Sequence, residues 1–324
     1  MSAPTDVATG LEVPWSAILL PDRSVLVSER DTAKVRRIEP DGALADVGTI
    51  LGVRPQGEGG LLGLAVDTGS FAQSPVLYAY YSAEDENRVV AMPYSPNGFG
   101  EQRTILDGIP RAGNHNGGRL RFGPDGFLYV TTGDAGNRDN PQSREQLGGK
   151  ILRITTSGEA APGNPFGTAV WSYGHRNVQG LAWGADGQMW ASEFGQDTWD
   201  ELNVITPGSN YGWPVVEGAA GRSGLTDPVR QWATKDASPS GICIGPDGAV
   251  LMAGLRGASL WKIPVSADGS TGVPQRLLQG RYGRLRDVLV GPDGNVWVVT
   301  NNTSRGEVRG GDDRIVRLPQ SLTG

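Results

Sequence analysis

The sequence is poor in cysteine, histidine and long apolar runs. Its 324 residues include one cysteine, Cys243, and two histidines, His115 and His175. A single cysteine excludes an intramolecular disulfide and leaves no second thiolate for a zinc knuckle or a haem-attachment motif. No run of about 18 apolar residues is present, so no membrane-spanning helix is predicted. The first ten residues lack a charged head followed by an apolar stretch, so no signal peptide is predicted in this chain.

Basic residues do not outnumber acidic ones either. The chain has 29 Lys and Arg against 35 Asp and Glu, a net charge of -6, whereas nucleic acids and anionic membranes require a basic face. We therefore predict neither a nucleic-acid partner nor membrane insertion. Glycine and proline are abundant, with 49 and 22 residues, which indicates many turns. Since no linker or charge run interrupts the chain, residues 1–324 are predicted to form one domain.

A repeated turn dominates the sequence. Six times, a short apolar run leads into a tight turn, most often Pro-Asp-Gly, and a second apolar run follows it. Successive turn aspartates are 45, 58, 61, 61 and 46 positions apart, which is close to the period of propeller blades. These aspartates are Asp22, Asp67, Asp125, Asp186, Asp247 and Asp293.

Each repeat continues into a third alternating segment. These segments are 33–42, 87–95, 149–158, 200–208, 258–269 and 313–320. Segments 101–109 and 271–280 read as fourth strands, whereas residues 5–13 have the length and alternation to complete the last sheet. We predict an all-β, six-bladed propeller with four-stranded blades, whose ring is closed by the N- and C-terminal strands. Helix is expected only as a turn or two around 141–147.

The phase of the repeat predicts a polar site. Residues about ten positions before or nine after a turn aspartate lie at the open end of each hairpin, so all of them face one mouth of the channel. Several are arginines, which predicts a compact polyanionic ligand because guanidinium forks match carboxylate and phosphate groups. In the alternative interpretation, individual arginines bridge neighbouring blades. The residues at these positions are Arg30, Glu58, His115, Asp134, Arg176, Asn177, Gly195, Arg256, Arg284 and Arg286.

The sequence predicts different roles for the two histidines. His115 is a candidate general base for a hydroxyl proton, and we expect Gly117 and Gly118 beside it to let the backbone approach a ligand. The alternative is a hydrogen-bonded structural histidine. His175 lies one step off the inward-facing phase of Arg176, so we expect it to be buried between strands.

Long blocks of the sequence resemble a known family. From about Ala8 to Leu318 the chain is similar to the soluble quinoprotein sugar dehydrogenases, the aldose sugar and glucose/sorbosone dehydrogenase family. The resemblance implies an oxidoreductase that binds pyrroloquinoline quinone (PQQ) and calcium at the channel mouth and oxidises the anomeric hydroxyl of aldoses to lactones. It also implies an external electron acceptor and a secreted, periplasmic or cell-surface location. The blocks are 58–67, 114–137, 147–154, 171–183, 192–214, 255–257 and 283–300.

The same resemblance implies roles for single residues. His115 corresponds to the base that takes the sugar hydroxyl proton as hydride passes from the anomeric carbon to the quinone. Arg176 and Asn177 correspond to residues that hold the quinone oxygens and stabilise the charge that develops there. The other implied contacts are Phe194, Arg256, Arg284 and Arg286 to the cofactor, and the backbone carbonyls of Gly195 and Gln196 to calcium.

Four positions depart from the glucose dehydrogenases of that family. Asn114 stands where those enzymes place an Asp before the base, so we expect Asp134 to orient the base and to contact the sugar. Glu58 replaces a Gln near the sugar, and we expect it to bind substrate. Phe194 and Gln196 replace a cofactor-binding Gln and a Pro, and neither change removes a backbone carbonyl. Short connections between blades predict an open site and broad aldose specificity.

Two other function classes share this fold. A calcium-dependent propeller lactonase requires side-chain carboxylates and Asn around its ion, whereas this channel mouth offers arginines. A non-catalytic propeller that binds a partner would not require His115, Arg284 or Arg286, and would expose aromatic residues.

Overall fold

The computed structural model describes residues 3–323, so three residues of the predicted 1–324 domain, Met1, Ser2 and Gly324, lie outside the described residues. The described chain forms six antiparallel sheets. Strand β1 (Thr5–Ala8) belongs to the last of them. The first three sheets contain β2 (Pro14–Leu19), β3 (Val25–Glu29), β4 (Lys34–Ile38) and β5 (Leu44–Thr49); β6 (Leu61–Val66), β7 (Val76–Ser82), β8 (Glu86–Ser95), β9 (Gly98–Phe99) and β10 (Arg103–Pro110); β11 (Leu120–Phe122), β12 (Leu128–Thr131), β13 (Lys150–Ile154) and β14 (Val170–Tyr173).

The last three sheets follow the same plan. They contain β15 (Val178–Trp183), β16 (Met189–Glu193), β17 (Trp199–Ile205) and β18 (Arg230–Ala233); β19 (Pro239–Ile244), β20 (Val250–Gly254), β21 (Ser259–Ile263) and β22 (Gln275–Leu277); β23 (Leu285–Val290), β24 (Val296–Thr300) and β25 (Ile315–Arg317). The first strands of successive sheets, β2, β6, β11, β15, β19 and β23, contact one another in a closed ring. The prediction of a six-bladed propeller is confirmed, with the short strand β9 as an addition to blade 2.

The two ends of the chain close the ring. β1 pairs antiparallel with β25, with Thr5 opposite Arg317 and Asp6 opposite Val316. Beyond the strands, the Leu11 and Asp313 backbones exchange hydrogen bonds of 2.9 and 3.1 Å. The predicted closure by the segment 5–13 is confirmed, and the last blade thereby obtains a fourth strand.

The core lies between blades. Six clusters of buried apolar side chains are present, one between each pair of adjacent sheets. Inner strands are therefore covered on both faces, as in β6, where all six residues are buried. In the outer strand β10, by contrast, Ile105 and Ile109 are the two buried residues of eight. Cys243 is buried in β19, as the sequence predicts.

The turn aspartates all act in the same way. Each accepts a hydrogen bond from the backbone N–H two residues further on, at 2.9 to 3.3 Å, which is the Asx-turn geometry. In four of these turns the residue after the aspartate is a glycine with a positive φ of 76 to 82°, a conformation that glycine tolerates best. These residues are Gly126, Gly187, Gly248 and Gly294. All six turns lie at one end of the propeller, so the residues that precede the first strands and follow the second strands meet at the other end.

Among the described residues, helix is confined to two short segments, α1 (Asn302–Arg305) and α2 (Gln320–Thr323). The predicted helical turn at 141–147 is wrong, because that segment contains only turns and bends. The Pro141 carbonyl accepts hydrogen bonds from the Lys150 ammonium at 3.1 Å and from the Gly174 N–H at 2.9 Å, and the Lys150 ammonium also donates to the Asn140 carbonyl at 2.6 Å, so the Pro141 carbonyl does not start a helical ladder. Within residues 3–323, no helix has the length and apolar character required to cross a membrane.

Candidate functional site

A cavity of about 540 Å³ opens at the end of the channel opposite the turns. Most residues predicted from the repeat phase, together with Phe194 and Gln196 from the family resemblance, line this one cavity. They are Arg30, Glu58, His115, Arg176, Asn177, Phe194, Gly195, Gln196, Arg256, Arg284 and Arg286. The structure therefore brings together side chains that are more than 250 positions apart, while their chemical roles stay predictions.

The backbone explains this convergence. Glu58 and His115 precede β6 and β11, and Arg176 precedes β15, so each stands at the entrance of a first strand. Arg30 follows β3 and Arg256 follows β20, so each stands at the exit of a second strand. Because antiparallel hairpins with turns at one end place these entrances and exits at the other end, the side chains share one rim.

His115 and Asp134 form the central polar pair. His115 Nδ1 lies 2.7 Å from Asp134 Oδ1, and 12% of the His115 side chain is exposed. An ionised carboxylate only accepts hydrogen bonds, so Nδ1 carries the proton and Nε2 is left with its lone pair. Asp134 is 1% exposed and does not line the cavity. The expected contact of Asp134 with a sugar is therefore corrected to a role behind the imidazole.

Asp134 is held by further donors. Its Oδ1 accepts the Gly136 N–H at 2.7 Å, and its Oδ2 accepts the Trp213 indole N–H at 2.8 Å. Burial by itself raises the pKa of Asp134, but the hydrogen bonds from His115, Gly136 and Trp213 outweigh burial and lower the pKa below its usual value. Asp134 is thus kept ionised as a partner for the imidazole.

The two glycines after His115 serve the fold. A Cβ at Gly117 would lie 2.5 Å from Thr132 Cα, and a Cβ at Gly118 would lie 2.6 Å from Leu62 Cδ1. The close approach of neighbouring strands therefore accounts for both glycines, while their approach to a ligand stays a prediction. The Gly117 N–H donates to Asn177 Oδ1 at 3.0 Å, so Asn177 ties the His115 loop to the next blade.

The arginines that line the cavity have few anionic side chains near them. Arg286 donates through Nη1 and Nη2 to three neutral side chains, Gln179, Ser240 and Asn301, at 2.8, 3.3 and 3.2 Å. Gln179 and Ser240 belong to blades 4 and 5, so Arg286 does bridge blades, as the alternative interpretation proposes. Its Nε, like that of Arg284, is buried and has no hydrogen-bond partner among residues 3–323.

The pKa values of Arg284 and Arg286 are lowered in this environment. Burial, together with repulsion by Arg30 and Arg284, lowers the pKa of Arg286 to about 9. Burial and the nearby Arg305 lower the pKa of Arg284. Both shifts have the sign expected for cations that are withdrawn from water without enough negative charge around them. The cavity therefore favours an anionic ligand.

Arg176 is positioned from two sides. Its guanidinium donates to Gln196 Oε1 at 2.9 and 3.1 Å and to the Phe194 carbonyl at 3.3 Å. On the other side, its guanidinium carbon lies 5.5 Å from the centre of the Trp213 ring, within the range of a cation–π contact. The Arg176 pKa is lowered by burial.

The loop after β16 carries the carbonyls expected to bind calcium. The Gly195 N–H donates to Asp200 Oδ1 at 3.0 Å, and the Gln196 N–H donates to Glu217 Oε1 at 2.7 Å. Burial raises the pKa of Asp200 to about 6, whereas four backbone N–H groups outweigh burial and lower the pKa of Glu217. Within residues 3–323, no group of three or more His, Cys, Asp or Glu side chains is arranged to hold a metal ion. A cation at this loop would therefore depend on backbone carbonyls.

Sequence reasoning missed part of the site. Trp213 and Glu217 lie in the connection between β17 and β18, outside the repeated elements, and Arg305 lies on α1, where its Nη1 is 3.5 Å from Glu58 Oε1. Trp213 falls in the block 192–214 that resembles the family, which is the one signal available for it. Other lining residues that were not predicted are Trp15, Gln179, Asp200, Thr234, Ser238, Leu255 and Ser304.

His175 is excluded from the cavity. It is fully buried, and its Nε2 and Nδ1 lie 2.8 Å from Ser172 Oγ and from Glu193 Oε2. The expectation that it is a structural histidine between strands is confirmed.

Comparison with known proteins agrees with this architecture. The family model described as Glucose / Sorbosone dehydrogenase matches residues 11–309. The chain therefore belongs to the glucose/sorbosone dehydrogenase family, and the resemblance stated from the sequence blocks is confirmed.

Individual relatives are similar over most of the chain. The PQQ-bound form of aldose sugar dehydrogenase from Streptomyces coelicolor is 51% identical, with a TM-score of 0.93, and the match covers 97% of this chain and 96% of that one. Aldose sugar dehydrogenase YliI of Escherichia coli is 29% identical over 91% of this chain and 88% of its own length. Quinoprotein glucose dehydrogenase B of Acinetobacter calcoaceticus is 31% identical over 73% of this chain and 58% of its own length.

Proposed function

We propose that the protein is an oxidoreductase that oxidises the anomeric hydroxyl of aldoses to lactones with PQQ as its redox cofactor. The observation that carries this proposal is His115, which is hydrogen-bonded to the buried Asp134 and lines a cavity with six arginines. Membership of the glucose/sorbosone dehydrogenase family supports the reaction class. The PQQ-bound relative from Streptomyces coelicolor supports the cofactor.

The cavity fits a cofactor with three carboxylates. Six arginines line it, against two carboxylates, Glu58 and Asp200, and the buried Nε atoms of Arg284 and Arg286 have no partner among the described residues. Carboxylate oxygens would satisfy these donors and offset the repulsion between the guanidinium groups. The residues proposed to contact the cofactor are Arg176, Asn177, Phe194, Arg256, Arg284 and Arg286.

His115 is the proposed general base. The Nδ1–H bond to Asp134 fixes the tautomer and the ring orientation, so that Nε2 is the atom that takes a hydroxyl proton. The carboxylate of Asp134 then stabilises the imidazolium that results. PQQ, when bound, supplies the acceptor for the hydride of the anomeric carbon. Arg176 places a fixed positive charge in the same cavity, where it stabilises negative charge that develops on a neighbouring oxygen.

Calcium is the proposed second cofactor. The backbone carbonyls of Gly195 and Gln196 belong to residues that line the cavity, and hard cations of this type prefer oxygen ligands. A divalent cation there would add to the positive charge that the arginines give the cavity. We propose that it helps to hold the anionic cofactor.

The remaining assignments concern substrate and surroundings. Glu58 is proposed to bind the sugar, because its Oε2 accepts the His115 backbone N–H at 3.2 Å and so lies beside the base. An open cavity favours several aldoses over a single one. The electron acceptor is proposed to be external, and the location secreted, periplasmic or cell-surface, as in the family it resembles.

The two alternative functions lack supporting observations in the described residues. A lactonase that uses calcium requires side-chain ligands around the ion, and none are clustered for this purpose within residues 3–323. A propeller that only binds a partner has no use for the pair formed by His115 at the cavity and the buried Asp134.

Reconstitution tests the proposed function. The purified chain is mixed with PQQ and calcium, and reduction of an artificial electron acceptor is followed with a panel of hexoses, pentoses and disaccharides, with gluconolactone hydrolysis measured in parallel. We expect acceptor reduction that requires PQQ, calcium and an aldose. Lactone hydrolysis without aldose oxidation would favour the lactonase, and quinone binding without any turnover would contradict the assigned reaction.

A further inference from the structure

One carboxylate oxygen organises the loop between β16 and β17. Glu217 Oε1 accepts hydrogen bonds from four successive backbone N–H groups, those of residues 196–199, at 2.7, 2.9, 2.9 and 3.1 Å. Successive N–H groups that converge in this way form an anion-binding nest. Charge-assisted hydrogen bonds of this kind are stronger than neutral ones, so the carboxylate holds the loop in one conformation.

The loop closes too tightly for another residue at its start. A Cβ on Gly195 would lie 1.7 Å from the Trp199 carbonyl oxygen and 2.8 Å from Glu217 Oε1. Glu217 itself comes from the connection between β17 and β18, which is not part of the propeller repeat. The conformation of the loop therefore depends on a side chain from a connection outside the repeated strands of its blade.

Fixing the amides also fixes the carbonyls. The peptide unit is planar and trans, so the C=O of one residue points opposite to the N–H of the next. The N–H groups of Gln196 and Asp197 bind Glu217, so the carbonyls of Gly195 and Gln196 are both directed away from it. The Gln196 side chain in turn holds Arg176 through Oε1.

We propose that Glu217 is the positioning residue of the candidate cation site: by binding the amides of residues 196–199 it presets the carbonyls of Gly195 and Gln196. The proposal rests on the proposed function in so far as a divalent cation assists cofactor binding there. Residues that orient metal ligands typically affect metal affinity by about 10–100-fold. Loss of the carboxylate is therefore expected to weaken the cation site without removing any ligand.

Calcium titration without the cofactor tests this proposal. Calorimetry compares the parent protein with Glu217→Ala, Glu217→Gln and the matched control Asp227→Ala. Asp227 lies in the same connection and also accepts backbone N–H groups, those of Ala220 and Gly221, at 2.9 to 3.3 Å, but it does not contact the candidate cation site. Thermal unfolding of each variant without calcium shows whether the fold is retained.

The expected result is a calcium dissociation constant at least about 10-fold higher in Glu217→Ala and unchanged in Asp227→Ala. Glu217→Gln keeps an acceptor oxygen without the charge, so it should fall between the two. If Glu217→Ala does not fold, the Gln variant decides. Equal calcium affinity in the parent and the Glu217 variants, or an equal loss in Asp227→Ala, would overturn the proposal.

A second titration separates this proposal from the proposed function. Quinone absorbance is titrated at saturating calcium, where Glu217→Ala should recover parental cofactor affinity. A parent that binds calcium but not PQQ would reject the cofactor assignment, while the calcium titration would still decide the role of Glu217. Weaker quinone binding by Glu217→Ala at every calcium concentration would contradict an effect exerted through the cation.

Discussion

The Trp213 indole Nε1 donates a hydrogen bond of 2.8 Å to Asp134 Oδ2. The same ring lies beneath the Arg176 guanidinium, with 5.5 Å between its centre and the guanidinium carbon. One side chain therefore touches both the partner of the proposed base and the arginine proposed to stabilise developing charge. Trp213 is 6% exposed, so these contacts are shielded from water.

Substitution of Trp213 by Phe should lower kcat more than it raises the KM for the sugar. Phe keeps an aromatic face for Arg176 but leaves one oxygen of Asp134 without its donor, so the imidazole is less well oriented. Loss of one hydrogen bond to a charged group corresponds to about 1.5–3 kcal/mol, or roughly 10–100-fold in kcat. Steady-state kinetics measure this change. Trp232→Phe, a buried tryptophan of blade 4 away from the cavity, is the control and should retain parental rates.

Substitution of His115 by Ala should nearly abolish turnover while the cofactor stays bound. The proton acceptor is lost, and general base catalysis typically contributes about 10²–10⁴-fold. The arginines proposed to bind the cofactor are untouched, so the quinone absorbance titration should match the parent. Turnover at the parental rate would reject His115 as the base.

Substitution of Arg286 by Ala should weaken cofactor retention. Its guanidinium is buried, its Nε has no partner among the described residues, and hydrogen bonds to charged groups contribute about 1.5–3 kcal/mol each. We expect a quinone dissociation constant raised by roughly 10–100-fold. Arg286→Lys should restore the binding only in part, because an ammonium lacks the planar fork. Arg317→Ala, outside the cavity and paired with Asp293, should bind the quinone normally.

Substitution of Asp134 by Asn should destabilise the protein in a pH-dependent way. The folded-state pKa of Asp134 lies below the usual value of an aspartate, 3.8, so the ionised carboxylate contributes stability above about pH 4 that is lost as the pH falls through the folded pKa. The difference in the free energy of unfolding between parent and variant should therefore be largest at neutral pH and shrink below about pH 4. Urea unfolding at several pH values measures it. Exposed Asp107→Asn should show no such trend.

Most of the fold and much of the candidate site could be predicted from the repeat in the sequence. Because the turns recur at a fixed step, residues as distant as His115 and Arg284 could be assigned to one mouth from the sequence, and the structure places both in the cavity. The closure by residues 5–13 could be predicted for a similar reason, since the last repeat had no fourth strand of its own.

The features that could not be predicted from the sequence lie outside the repeat or depend on how side chains pack. Trp213 and Glu217 lie in a connection that is not part of the repeat, so the spacing of the repeat does not predict that they lie near the site. The burial of Asp134 depends on which donors surround its carboxylate. The segment 141–147 has the length of a helical turn, but the carbonyl of its first residue accepts hydrogen bonds from groups outside the segment.

The pairing of Thr5–Ala8 with Ile315–Arg317 joins two segments that are separated by almost the whole described chain. Arg284 and Arg286 stand at the start of the blade that this pairing completes. A substitution that unpairs these two outer strands is therefore expected to disturb the positions of both arginines through the sheet that they share.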